Sequence, residues 1–309
     1  MVIFNRNNPS LRIFLFFVLL APCTLLGQDY ADLFKMGYAE TFENQFEGTD
    51  ATTDVRTVDI DLTIPIVLNE QHTFVTGTFF GRNHLQLYPN AEATSLYSTT
   101  LKLGLQSQWN ERWSTTIVLL PKIASDYHDI TGDDFYFGGF ATAKYKKNEH
   151  LTWRFGLYAS NEAFGVFMTP IFGWYYLSPN QKFEMNMSLP ISADMNYRMG
   201  DFALGMDYFG IGRSFNIPED NTYVDLSSLD FAGYLQYGIL KQSVLLRAKM
   251  GYSSNDFEVY QQGETVDLVV SAFTFGDDRT QLNPTIKGGI FFKFEAIYRF
   301  HLPGESKAE

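Results

Sequence analysis

Cysteine is almost missing from this chain, charge is sparse, and beyond residue 30 there is no long apolar run. The single cysteine, Cys23, lies in an N-terminal stretch with the marks of a removable leader. Disulfides and thiol chemistry are then excluded, and stability outside the cytoplasm has to come from the backbone ladder. Charged residues are 19% of the 309 against 45% hydrophobic, which excludes a disordered tail. No stretch after residue 30 reaches the ~18 consecutive apolar residues that would suggest a spanning helix. Helical periodicity is nearly absent too. The net charge is −12, and −14 once Arg6 and Arg12 leave with the leader. Phosphates would be repelled by that acidity, so no nucleic-acid partner is expected.

What the chain has in quantity is aromatic residues, 17%, with Phe 29 and Tyr 18. Residues 1–28 pair a basic start, "MVIFNRNNPSLR", with the apolar "IFLFFVLLAPCTLLGQ". That is the pattern of a bacterial secretory signal peptide, with cleavage expected near Gly27 or Gln28. The remainder divides into a β-barrel over 29–300 and a short tail, 301–309.

From residue 33 onward apolar and polar residues alternate. In "VDIDLTIPIVL" (58–68), Val58, Ile60, Leu62 and Ile64 oppose Asp59, Asp61 and Thr63. In "GGIFFKFEAIYRF" (288–300), Ile290, Phe292, Phe294 and Tyr298 oppose Lys293, Glu295 and Arg299. Short polar turns such as "NEQ", "NER" and "KKNE" alternate with long acidic connectors at 43–54, 88–94, 125–134, 214–229 and 254–284. The spacing predicts fourteen antiparallel strands, with a bent, short pair at 182–198 around Pro190. Twelve is the count if short segments do not pair. A soluble sandwich alternates as well, but these segments match the 9–11 residues that cross a bilayer at a tilt. Trp109, Trp113, Tyr145, Trp153, Tyr175, Tyr176, Tyr197, Tyr237, Tyr298 and Phe300 also gather near the short turns, with Trp174 one residue outside the set. Such a girdle belongs at a membrane interface. The fold expected is all-β, a transmembrane antiparallel up-and-down barrel, with outer-membrane lipid around it.

From the signal's "GQ" through "YYLSPNQKFEMNMSLPISADMNYRMGD" to "IYRF", the chain resembles an uncharacterised outer-membrane β-barrel family of Bacteroidota-type bacteria. The resemblance implies a bacterial outer-membrane location and a fold, and it carries no catalytic or binding residues. A last strand ending in an aromatic resembles the signal read by the barrel-assembly machinery.

Alternation places Asp59, Asp61, Arg82, Lys102, Lys122, Lys144, Arg154, Glu184, Asp207, Arg247, Lys249, Lys293, Glu295 and Arg299 toward the lumen. Bases exceed acids in that set, so either a basic wall favours anionic or polar solutes, or the charges pair and plug the interior. Inward Phe80, Tyr136, Phe140, Tyr158 and Phe291 would suit a narrow or apolar-solute passage. None of the five histidines, His72, His84, His128, His150 and His301, has a serine beside it in a recognisable sequence pattern, and no metal or nucleotide motif is present. The acids of "SDYHDITGDD" and "NIPEDNTYVD" match no calcium loop and read as solvated. No catalytic residue, cofactor or metal is expected. The functional expectation is passive passage of an unidentified small solute. A closed structural or surface-interaction barrel and a membrane-edge lipid-modifying enzyme are the alternatives.

Overall fold

The computed structural model describes residues 30–301, so the leader assigned to 1–28 and the tail past His301 lie outside the described residues. Alternation produces long strands that run up and down. The first five are β1 (Tyr30–Gln45), β2 (Thr52–Val67), β3 (His72–Leu85), β4 (Thr94–Gln108) and β5 (Trp113–Ser125). Then come β6 (Phe135–Lys146), β7 (Leu151–Glu162) and β8 (Gly165–Leu177), followed by two short strands, β9 (Phe183–Ser188) and β10 (Ser192–Met199). β11 (Phe202–Ile217), β12 (Thr222–Ile239) and β13 (Val244–Ser253) are long or of ordinary length again. A long connection carries β14 (Asp256–Gln261), β15 (Leu268–Val270) and β16 (Phe273–Phe275) before the final β17 (Gly289–His301).

Strands β1 to β13 and β17 form the wall, each antiparallel to its neighbours. β13 pairs with β17 and β17 with β1, so the fourteen-stranded sheet closes on itself. Closure satisfies backbone N–H and C=O groups between strands, as hydrocarbon demands. The short pair expected at Pro190 is β9 and β10, turning through Leu189, Pro190 and Ile191. The strands of the long connection, β14 to β16, were not expected, because their segments are too short to show a period.

The short turns share one device. Asn69, Asn110 and Asn148 each accept two backbone N–H bonds through Oδ1, from the second and third residues beyond, at 2.8–3.0 Å. An asparagine caps such a turn better than longer side chains because its carbonyl reaches its own backbone.

The outer face carries a continuous apolar belt. Leu101, Leu103 and Leu105 of β4, Ile117 and Leu119 of β5, Leu204 and Met206 of β11, and Phe292 and Phe294 of β17 all point outward and are exposed. Opposite them, Lys102, Lys293 and Glu295 face inward. That polarity, greasy outside and charged inside, is the reverse of a soluble barrel and matches a lipid-facing one. Among the described residues no helix is long and apolar enough to cross a membrane.

Placing an arginine in the belt tests this directly. Leu103→Arg should cost about 2–4 kcal/mol of unfolding free energy near the bilayer midplane. Denaturant titration of the liposome-inserted barrel measures it, and a cost near zero would mean that this face does not meet lipid.

Candidate functional site

At the long-loop end the barrel is sealed by a hydrophobic core. Inward positions near the tops of the strands supply Val55, Leu85, Leu96 and Phe215, and Phe46, Phe257 and Ile286 fold over from the loops; all are almost fully buried. The β11–β12 hairpin leans inward to build this roof. Asn216 bridges to Ser125 of β5, Ser214 N donates to Glu162 Oε2 at 2.9 Å, and Ala163 N donates to Ser214 Oγ at 2.7 Å. Below the roof Lys122 reaches both oxygens of Glu162 at 2.7 Å.

The side wall, by contrast, is interrupted. Because β9 and β10 turn back early, β8 and β11 continue upward with no strand between them. The last ties below the break are Phe172 to Leu189, at 2.9 and 3.0 Å, and Gly210 N to Ile191 O at 2.8 Å. Phe172 turns both its N–H and its C=O toward β9. Two residues earlier, Pro170 turns its backbone to the same side, where it has no N–H to leave unpaired, as suits an edge strand. Part of the exposed β8 edge is covered from above. β15 pairs with Phe167 and Met168 in parallel, Ser271 N donates to Met168 O at 2.9 Å, and Thr169 and Ser271 hydroxyls meet at 2.6 Å. What is left is a gap framed by Phe167–Ile171, the Pro190 turn, Gly210–Gly212 and Ser271–Ala272.

A cavity of about 800 Å³ opens through this gap. Its lining joins inward residues, Val118, Phe140, Lys144, Arg154 and Ile171, to residues of the outer face, Tyr208 and Leu229. A second, smaller cavity of about 390 Å³ lies among the charges of β1, β13 and β17.

One arginine holds the covering loop. Arg279 stacks on Tyr260 at 3.9 Å and reaches Tyr223 Oη, Asp225 and Asp277 at 3.0 Å each. The hydrogen bonds it donates hold the Asp277 carboxyl below its usual range. Asn283 ties the loop's far end to Leu87 O and Phe257 O.

Thirteen of the fourteen charges assigned to the lumen from alternation face inward. Most are paired: Lys102 with Asp61, Lys122 with Glu162, Lys249 with Asp207 and Glu295, Lys293 with Asp59 and Glu295. Arg247 meets Asp194 at 2.9 Å, Arg299 meets Asp32 at 2.6 Å, and Tyr30 bonds Glu184 across the short-turn mouth. Arg82 is the exception. It lies on the outer face with His84 and Phe80, stacked over Tyr97 and bonded to Ser95. The top of β3 stands above the apolar belt, where the outside is wet and the inside is the dry roof, so polarity inverts. The double Phe79–Phe80 hid that inversion; the register of β3 is unbroken and each residue keeps its parity. Alternation also missed Asp32, Glu162, Asp194, Asp230 and Arg213; Asp230 and Arg213 lie inside recognisable strands, and period 2 could have found them. With them the excess of bases nearly vanishes.

Trp109, Trp113, Tyr145, Trp153, Tyr176, Tyr197, Tyr237, Tyr298 and Phe300 lie on the outer face near the short turns, Trp113 against Tyr145 at 4.9 Å. Trp174 joins them beside Trp153. Tyr175 does not: it is 6% exposed and faces inward, because only one of two adjacent strand residues can face lipid. Histidine–serine pairs do occur, His84 with Ser95 and His72 with Ser107, both at 2.9 Å. They repeat as directly opposed pairs of one ladder. Among the described residues no carboxylate or amide orients either imidazole, which a nucleophile's base would need. No group of three described His, Cys, Asp or Glu side chains could hold a metal ion. In the acidic loop, Asp134 is spent on Asn216 and on Thr131 N, at 2.7 and 2.8 Å.

A family defined as a domain of unknown function, DUF6268, matches residues 38–257. The chain belongs to that family. No curated protein sequence matches it. Among solved structures, the COG4313 outer membrane channel from Pseudomonas putida F1 is similar at 9% identity and TM-score 0.43, over 91% of this chain and 100% of that one. The Pseudomonas putida toluene transporter TodX is similar at 10% identity and TM-score 0.38, over 91% and 92%.

Two substitutions test the site's supports. Lys122→Met strands a buried carboxylate, and should lower stability by about 3–5 kcal/mol, read by thermal unfolding in detergent. Arg279→Leu should leave the barrel folded and make residues 262–282 readily cut by protease. Equal resistance would show that Arg279 does not hold the loop.

Proposed function

We propose that this barrel sits in the bacterial outer membrane and passes small, largely apolar molecules between its lumen and the surrounding lipid through the gap between β8 and β11. The observation that carries the reading is the single cavity lined from both faces of the wall. Short turns and both ends of the described chain lie together, the periplasmic side in outer-membrane barrels. The gap then opens in the outer-leaflet half, and the roof faces the exterior. The secretory leader, the terminal strand closing on Phe300, and the resemblance to Bacteroidota-type barrels support the same location.

An axial water pore fits the interior poorly. A solute on the axis would have to displace Phe46, Phe215 and Phe257 from a dry core, and each buried aromatic of that size is worth about 1.5–3 kcal/mol. Paired lumen charges also make a weak selectivity wall. Sideways passage disturbs neither. A closed structural barrel is disfavoured by the cavity itself, whose size falls in the range of small-molecule sites.

Gly212 gives the test. A Cβ there would meet only the Phe167 ring, at 3.7 and 3.9 Å, and its φ lies outside the left-handed region, so a larger side chain fits the backbone and fills the gap. Gly212→Trp should slow delivery of a neutral fluorescent probe, N-phenylnaphthylamine, into reconstituted vesicles several-fold. In planar bilayers the wild type should show no large conductance steps, whereas Phe215→Ala with Phe257→Ala should create them. Steady porin-like conductance by the wild type would defeat the sideways reading.

A further inference from the structure

Six lumen cations have a carboxylate partner, but three that line the large cavity have none among the described residues: Lys144, Arg154 and Arg213. Arg213 at least lies over the Phe79 ring, at 5.1 Å. Lys144 and Arg154 stand directly opposite each other on β6 and β7, both facing inward. Like charges in directly opposed cross-strand positions repel, and a half-buried ammonium without a counter-ion is costly. Among the described residues no carboxylate offsets either cost. Arg154 Nη1 is tethered to Ser188 Oγ and, at 3.5 Å, to Met187 O, just under the Pro190 turn that forms the sill of the gap. That tether aims the guanidinium into the cavity, with Nε and Nη2 left without acceptors among the described residues. A planar fork beside a flexible ammonium is a good receptor for a two-oxygen or three-oxygen anion. Above the pair the cavity turns apolar, along Val118, Phe140, Ile171 and Phe167, up to the gap.

We infer that Lys144 and Arg154 bind the anionic head of a single-chain amphiphile, a carboxylate or a phosphate monoester, whose tail lies along the apolar wall toward the gap. The inference rests on the sideways-passage reading for the route, and adds the ligand's charge and shape. A bound head supplies the counter-ion the wall lacks. A cavity of about 800 Å³ suits one chain.

The test uses the full chain in zwitterionic nanodiscs and equilibrium binding of radiolabelled laurate, dodecyl phosphate and neutral dodecanol. Wild type should saturate with one anionic probe per barrel, and the tighter of the two identifies the head as carboxylate or phosphate. Lys144→Glu gives Arg154 an internal partner, so it should raise the unfolding temperature, weaken both anionic probes at least tenfold and leave dodecanol unchanged. Lys144→Arg should keep binding, and Lys144→Met with Arg154→Met should lose it while retaining the heat-dependent gel shift of a folded barrel. Unchanged laurate and dodecyl phosphate binding in Lys144→Glu would overturn the inference, and so would displacement of laurate by inorganic phosphate as effectively as by dodecyl phosphate. Dodecanol transfer into vesicles tests the route separately. If Gly212→Trp leaves that transfer intact while anionic binding still depends on Lys144, the route fails and the head site stands.

Discussion

A backbone in hydrocarbon has no water to turn to, and every feature of this barrel answers to that constraint. Thirteen of the fourteen adjacent wall pairings meet it with a ladder along most of their length; the junction of β8 with β9 meets it only through Tyr175–Leu177 and the Phe172–Leu189 bridge. Above that level the sheet has two facing free edges. Each is blunted differently: Pro170 removes a donor, β15 pairs with Phe167 and Met168, and Ser214 finds Glu162. The opening is therefore a consequence of one hairpin stopping short, and the long connection after β14 limits its height.

How the interior is charged follows from the same economy. Apart from Arg213, which lies over the Phe79 ring, the lumen cations named in the wall from β10 round to β5 meet acids placed by the strand registers, so that part carries nearly balanced charge. The wall below the gap breaks the rule, with Lys144 opposite Arg154 and no acid within reach among the described residues. A balanced wall elsewhere makes this imbalance informative, since the same folding chemistry that pairs Lys102 with Asp61 had every opportunity to place an acid here.

Much of the wall was readable in the sequence because lipid enforces period 2 over ten or more residues. Strand number, the pair at Pro190, the orientation of β17 and nearly all the inward charges followed from it. The failures share a physical cause. Arg82, His84 and Phe80 stand above the belt, where water outside and a packed roof inside reverse the rule. Tyr175 lies close to a turn, as the girdle does, but its parity along β8 is that of the lumen face. Strands β14 to β16 are too short to show a period. The gap itself leaves almost no trace in sequence: Pro170, Pro190 and Gly212 are each unremarkable alone, and only strand register shows that they border the same space.

Roof and gap also require each other. An apolar molecule resting in the lumen is favoured only if its cavity is drier than the water above, which the core around Phe215 and Phe257 provides. The same core has the tops of β3, β11 and β12 turn apolar residues inward, and it draws the β11–β12 hairpin over the mouth, where Ser214 is tied to Glu162 and Ala163 at the end of β7. Those ties close the top of the separation that the short β9–β10 hairpin began. A barrel with an open top would need no break in its side, and a barrel sealed on top without the break would enclose its cavity to no purpose. The inward lean of β11 serves both, so loosening the roof at Phe215 should disturb the gap as well as the axis.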